Sequence, residues 1–323
     1  MTHNNEIKPN PPARGFRPFC TLILVVPFAG LLAVLTYGRS DFFLRSKGPW
    51  FLNLDHAYHY SRQQCDVLIF GDSTAVTGLD PKLITAETNL RTCNIAQTRS
   101  QFTVLGTQTL DSFLQRNPPP RYLVIQMAPD AFRIDRDWEL GHYGEGMLQL
   151  LRNRPLSEST LTFVRHPNAS IQFAGWIFST LPGTIGSSLH HKHPDNQVTQ
   201  DADGFITYPL PSESSCIQTK SPQPPPLNRP DAAWIRSLRQ RYSKPGTSVL
   251  IDASPIPGCD KQFAYLSQAL ASLSDNQLES YPVALYNEGD RHFTPAGAAA
   301  RSNELAQQLL ALSGASRKEE HAF

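Results

Sequence analysis

The stretch Val67–Pro81, VLIFGDSTAVTGLDP, decides the architecture. Four apolar residues, Val67 to Phe70, run straight into Gly71-Asp72-Ser73. A short apolar run bounded by turn residues reads as a buried strand. In an open parallel sheet, sites lie beyond the carboxyl ends of the strands. Ser73 stands at such an end. Its hydroxyl is therefore either part of a tight turn or a group placed to attack something. Asp72 reads as holding the turn through backbone hydrogen bonds rather than as a reacting group.

The same pattern recurs along the chain. Arg91–Ile95, Tyr122–Met127 (YLVIQM) and Ser248–Ala253 (SVLIDA) read as strands, and Val283–Tyr286 as a fifth short one. Between them, Pro81–Glu87, Phe102–Leu114, Asp231–Tyr242 and Gln262–Leu273 have helical spacing, and the Pro118–Pro120 run stops the second of these. A last helix covers Pro295–Leu312, with Pro295 suited to its first turn. Strands alternating with helices imply an α/β fold whose parallel sheet is covered on both faces. Residues 132–230 break the pattern. Helical pieces there, such as Gly146–Arg152 and Ile171–Leu181, are interrupted by Pro and Gly, and SPQPPPLNRP reads as a stiff connector. This region reads as an irregular insertion into a domain spanning 65–315, followed by a tail over 316–323.

The amino-terminal part is different. Pro18–Gly38, PFCTLILVVPFAGLLAVLTYG, carries no charge and is long enough for one helical bilayer crossing. A lone proline, Pro27, is tolerated in such a helix. A cleaved signal peptide is the competing reading, but the small-x-small cleavage pattern is poor. The expected layout is a cytoplasmic tail over 1–17, an anchor over 18–38, and a stalk or first helix over 39–64. Lys8, Arg14 and Arg17 before the span nearly balance Arg39, Arg45 and Lys47 after it. The usual arrangement of a signal anchor puts the large domain in the periplasm or outside the cell.

Forty per cent of the 323 residues are hydrophobic and 18% charged, as in a globular chain. A net charge of +1 with no block of like charges argues against a nucleic-acid partner. Of five cysteines, Cys20 lies in the apolar run. Cys65, Cys93, Cys216 and Cys259 have no CxxC spacing, which disfavours a thiolate zinc site. They are numerous enough for two bridges in an oxidising compartment, with Cys216–Cys259 the expected pair. Cys65 and Cys93, which flank strands, read equally as small buried thiols.

A serine hydroxyl needs a base, because unassisted it is a poor nucleophile. Gly289–Gly297, GDRHFTPAG, offers one: His292 precedes the last helix, and Asp290 lies two residues before it. An imidazole oriented by a nearby carboxylate is the logic of a serine triad. Together, FGDSTAVTGLDP and DRHFTPAGA resemble the SGNH hydrolase (GDSL-type) superfamily. The Asp-x-His-aromatic-Thr-Pro-x-Gly form is most similar to its envelope polysaccharide O-acetyltransferase branch, the alginate acetylation proteins. The resemblance covers roughly 66–127 and 248–312. It implies a flavodoxin-like three-layer sandwich, with Ser73 as nucleophile, His292 as base and Asp290 as its orienting partner.

Two blocks depart from that family. Ala96 stands where a glycine would serve the oxyanion hole, in Asn94-Ile-Ala-Gln-Thr-Arg-Ser100, and a backbone N–H survives the change. Pro129 stands where the asparagine donor of the third block would be, in Met127-Ala-Pro-Asp130. Proline has neither N–H nor side-chain donor. Ala96 and Gln97 are the candidate oxyanion or substrate-binding residues, with Gln126 a further substitute. The resemblance implies a small acyl ester or an envelope or exported polysaccharide as substrate, a membrane acyl donor as partner, and no cofactor or metal. The alternative is a non-catalytic glycan-binding or scaffold subunit, which the Pro129 departure favours.

Overall fold

The computed structural model describes residues 49–133, 144–190, 199–200, 204–207, 229–287 and 291–320, with 25, 29–30, 32–33 and 35–40 before them. The chain forms an α/β fold around a four-stranded parallel sheet. In chain order its elements begin with α1 (Pro49–His59), β1 (Val67–Gly71), α2 (Ser73–Gly78), α3 (Pro81–Thr88) and β2 (Thr92–Asn94). There follow α4 (Arg99–Leu105), α5 (Gln108–Arg116), β3 (Tyr122–Met127), α6 (Gly144–Asn153), α7 (Leu156–Arg165) and α8 (Pro167–His190). The two-residue strands β4 (Thr199–Gln200) and β5 (Ile206–Thr207) form a separate antiparallel pair. The chain then runs through α9 (Ala232–Tyr242), β6 (Ser248–Ala253), β7 (Ile256–Pro257), α10 (Phe263–Leu270), β8 (Ser280–Tyr281) and α11 (Pro295–Glu320).

The sheet order is β2-β1-β3-β6. The pleat sends alternate residues to opposite faces. Val67, Ile69, Val124 and Leu250 face Ile84 of α3 and Leu305 and Leu309 of α11. Leu68, Phe70, Leu123, Ile125 and Ile251 face Phe102 of α4, Phe113 of α5, Ile235 and Leu238 of α9, and Leu266 of α10. Helices therefore cover both faces. That explains why Val67–Phe70 of β1 and Tyr122–Ile125 of β3 are continuous apolar runs and not alternating ones.

Two sequence expectations change. Phe102–Leu114 is two helices, because the chain turns at Gly106, which has φ 53° and caps α4. Val283–Tyr286 is not a strand of the sheet. Val283–Leu285 form a 3₁₀ turn, and Tyr286 makes only an isolated bridge to Phe293. Of the stalk or first helix expected over 39–64, the described part holds α1, a packed helix with Leu54, Ala57 and Tyr58 buried. The helical pieces expected in the insertion are present in its described part. Its helices α6–α8 share with α1 an apolar cluster built on Leu54, Tyr58, Leu148, Leu151, Phe173 and Ile177. The last helix runs past Leu312 to Glu320.

Among the described residues no helix is long and apolar enough to cross a membrane. Most of the Pro18–Gly38 run lies outside them. Its end does not: Leu35 and Tyr37 pack on the α6/α8 cluster.

Cys65 and Cys93 form a disulfide, with Cα atoms 5.8 Å apart, and so are not free buried thiols. The register explains it. Val67 pairs with Thr92, which brings the chain just before β1 alongside β2. Cys259 is also disulfide-bonded, while Cys216, its expected partner, lies outside the described residues. The Cys65–Cys93 bridge closes a loop across a sequence separation of 28. In the chain-entropy account, a loop of that size stabilises by about 3–4 kcal/mol. Replacing both cysteines by serine should lower the unfolding free energy by about that much, read from denaturant melts of oxidised and variant protein.

Glu279 and Glu304 meet at the flank of α11. Burial, then the Glu304 charge, then a hydrogen bond to Glu304 raise the Glu279 carboxyl. Glu304 itself accepts from Arg301 Nη1 at 3.0 Å. A carboxyl raised on folding contributes stability that is fully present below its unfolded value, about pH 4.3, and is lost as pH rises through the folded value. Glu279→Gln should therefore gain on wild type as pH rises above about 4.3, with no gain at the acid end. Unfolding midpoints measured across that range check it.

Candidate functional site

The site is built at the carboxyl edge of β1 and β3. Gly71 ends β1 with φ 156°, and a Cβ there would stand 1.7 Å from the Gln126 carbonyl oxygen. Only glycine lets β1 approach β3 this closely at the point where the chain turns. Asp72 then caps α2. One carboxylate oxygen accepts from the Thr74 N–H at 2.9 Å and the Thr74 hydroxyl at 2.6 Å. The other accepts from the Ala128 N–H at 2.9 Å. Asp72 thus holds the turn, as its position implies, and also ties it to the chain leaving β3. Burial pushes its carboxyl above the usual carboxylate range, against the pull of these donors.

Ser73 is the first helical residue of α2 and is half-buried. Among the described residues, neither its hydroxyl nor its N–H is spent on another group. An N–H at the start of a helix, next to the positive end of the helix dipole, suits a developing negative charge. A hydroxyl and a donor thus sit on one residue at the sheet edge.

His292 reaches the same edge through its neighbours. Arg291 pairs with Asp130, three residues beyond β3, and its other amine lies 3.3 Å from Asp260. Arg99 of α4 lies 3.8 Å from Asp130. On the other side, Phe293 packs against Gly78 of α2 so closely that a Cβ there would stand 2.6 Å from its ring. The segment is closed by Asn287 N–H donating to the His292 carbonyl at 2.9 Å and Thr294 N–H donating to the Leu285 carbonyl at 2.9 Å. His292, half-buried, is therefore bracketed between the third block and the helix that Ser73 opens. Asp290 lies outside the described residues.

The candidate oxyanion residues are occupied inside the fold. The Ala96 N–H donates to Asn94 Oδ1 at 2.9 Å, and Asn94 Nδ2 donates to the Ala75 carbonyl at 2.9 Å. The Gln97 amide donates to the Gly106 carbonyl at 2.8 Å and accepts from the Thr109 hydroxyl at 3.0 Å. Gln126 donates to the Thr74 carbonyl at 3.4 Å and accepts from Arg301 Nε at 3.0 Å. All three residues are buried. They brace α2 and the strand ends rather than face an open edge.

Sequence reasoning passed over Arg291, Arg99 and Asp130 as a set. Arg291 lies inside the quoted DRH motif and Asp130 closes the third block, but their pairing spans 161 residues and has no local signal. Comparisons with family models, with curated proteins and with solved structures find no match to this chain. What the site can do follows from its residues: a half-buried hydroxyl, a helix-start N–H, and an imidazole carried to the same edge between Arg291 and Phe293.

Proposed function

We propose that this chain is a membrane-anchored SGNH-like acyl esterase or O-acetyltransferase. It acts on a cell-envelope or exported polysaccharide through an acyl-Ser73 intermediate. The observation that carries the reading is the Ser73 hydroxyl at the start of α2, with the His292 segment held at the same sheet edge by Arg291–Asp130 and Phe293–Gly78. The all-parallel order β2-β1-β3-β6 supports the flavodoxin-like arrangement. The Cys65–Cys93 disulfide supports a domain that folds in an oxidising compartment. In the reaction, Ser73 Oγ attacks the acyl carbonyl as its proton passes to His292, whose imidazole Asp290 orients. The Ser73 N–H faces the oxyanion. His292 returns the proton to the leaving alcohol. Water or a sugar hydroxyl, activated in the same way, then takes the acyl group from Ser73.

A second reading, a non-catalytic glycan-binding or scaffold subunit, draws on Pro129 and on the engaged Ala96 and Gln97 groups, which leave fewer oxyanion donors. A fluorophosphonate probe separates the two. Covalent labelling of Ser73 in the folded wild-type protein, lost in His292→Ala, is expected for the enzyme. A folded protein that never labels belongs to the second reading.

A further inference from the structure

We propose that α7 and α8 present a face that lies against the lipid bilayer beside the amino-terminal anchor. Over its 24 residues, Pro167–His190, α8 contains no Asp, Glu, Lys or Arg. Its inner face, with Ala169, Phe173 and Ile177, is buried in the cluster shared with α1 and α6. Its outer face carries Ile171, Phe178 and Ile185, spaced two helical turns apart and 72%, 50% and 46% exposed. Beside it, Leu156, Leu161 and Val164 of α7 are 47%, 49% and 71% exposed. A water-facing helix surface ordinarily carries charge opposite its apolar stripe, whereas the outer face of α8 carries only the uncharged Asn168, Gln172 and Ser179 among these apolar side chains. Contiguous exposed apolar patches mark contact surfaces.

The end of the apolar run says what covers this one. Pro18–Gly38 is an uncharged stretch of bilayer-spanning length, and its last residues are clamped to the same helices. A Cβ at Gly38 would touch Leu148, Leu151 and Ile177, the last of these on α8 itself. Arg39 Nε donates to the Leu151 carbonyl at 2.8 Å, capping α6, and Arg152 Nη1 donates back to the Arg39 carbonyl at 2.7 Å. An anchor that leaves the membrane at Gly38 therefore holds α6–α8 within a few ångströms of its exit. A rigid apolar face at that height meets headgroups and acyl chains rather than bulk water. Exposed Arg165, at the end of α7, is placed to meet anionic headgroups. The same geometry would hold the candidate site at a fixed height over the membrane that supplies an acyl donor.

This face rests on the anchor reading, so the test separates them. The full-length chain is expressed with p-benzoylphenylalanine replacing Phe178 on α8, or replacing Arg236 on the exposed face of α9. Membranes are washed with carbonate, irradiated, and the adducts read by mass spectrometry. The chain should stay in the washed membranes, and position 178 should give on the order of tenfold more lipid adduct than position 236. Loss of the chain to the carbonate wash overturns the anchor and this face together. Retention with equal adduct at both positions overturns the face alone. So does crosslinking of position 178 to a second copy, to another protein, or to residues 18–34 of the same chain.

Discussion

Ser73→Ala should abolish turnover of an activated acetyl ester, by about 10⁴-fold or more, while the unfolding midpoint stays within experimental error. The two halves of that result have separate causes. The hydroxyl is the only group of Ser73 removed, and it bonds to nothing among the described residues, so folding loses nothing measurable. The N–H remains at the start of α2, so the turn, the Asp72 cap and the helix dipole are untouched. The chemistry, however, loses its only covalent acceptor for the acyl group. His292→Ala should cost nearly as much, since nucleophile and base act as one unit and their losses do not add. The double variant should be no slower than the worse single one. Asp290→Asn should cost as much or less, depending on whether another acceptor holds the imidazole. If Pro129 takes the place of the family's side-chain donor, one oxyanion contact is missing or replaced, and loss of such a donor costs about 100- to 1000-fold in rate. Hydrolysis in water should then be slow, and transfer to a carbohydrate hydroxyl the favoured fate of the acyl group. Supplying an acetyl ester with and without oligosaccharides, and following free acetate and acetylated sugar by mass spectrometry, tests both points. Fast acetate release without acetylated sugar would reduce the activity to that of an esterase. A Ser73→Ala variant as active as wild type would remove the serine mechanism altogether.

The largest effect on stability should come from Arg301→Ala. Arg301 projects from α11 into the sheet and is 4% exposed. It pairs with Asp252 of β6, which is 2% exposed, and donates to Gln126 of β3 at 3.0 Å and to Glu304 at 3.0 Å. Burial lowers the affinity of its guanidinium for the proton, but the surrounding acceptors keep the charged form in place. Truncation leaves the Asp252 carboxylate buried without a counter-charge. Breaking a buried pair on one side costs about 3–5 kcal/mol, far more than the pair's net worth against apolar groups of the same volume. Arg301→Met combined with Asp252→Leu should therefore recover most of the loss. Urea denaturation of the wild type, Arg301→Met, Asp252→Leu and the double variant gives the cycle, with Arg301→Ala measured beside it. A double variant as unstable as Arg301→Ala would mean that the lost Gln126 and Glu304 bonds, and not the orphaned carboxylate, set the cost. Because α11 follows directly on the His292 segment, Arg301→Ala should also reduce labelling of Ser73 in the fraction that still folds.

The sequence by itself determined the local elements. The runs at 67–70, 122–125 and 249–251 are apolar without alternation, and that can only be a strand covered on both faces or a buried helix too short to stand. Gly71-Asp72 after such a run forces a turn, and with it the place of Ser73 at the sheet edge, because turn chemistry is carried by adjacent residues. Asp231 and Pro295 announced the starts of α9 and α11 for the same reason. Only the tertiary structure decided what meets across the sheet. The Cys65–Cys93 bridge depends on β1 lying beside β2 in one register. Arg301 finds Asp252 only because α11 crosses β6, and Arg291 finds Asp130 only because the last loop returns to the end of β3. The use of the Ala96 N–H and the Gln97 amide as braces was equally hidden, since a backbone donor has no sequence signature until its acceptor is in place. Val283–Tyr286 is not a strand: Val283–Leu285 close into a 3₁₀ turn, and Tyr286 makes only an isolated bridge to Phe293. Periodicity and turns act over a few residues and are written in order along the chain. Pairings across 28, 49 or 161 residues are set by strand order and register, and those are decided only when the layers close on one another.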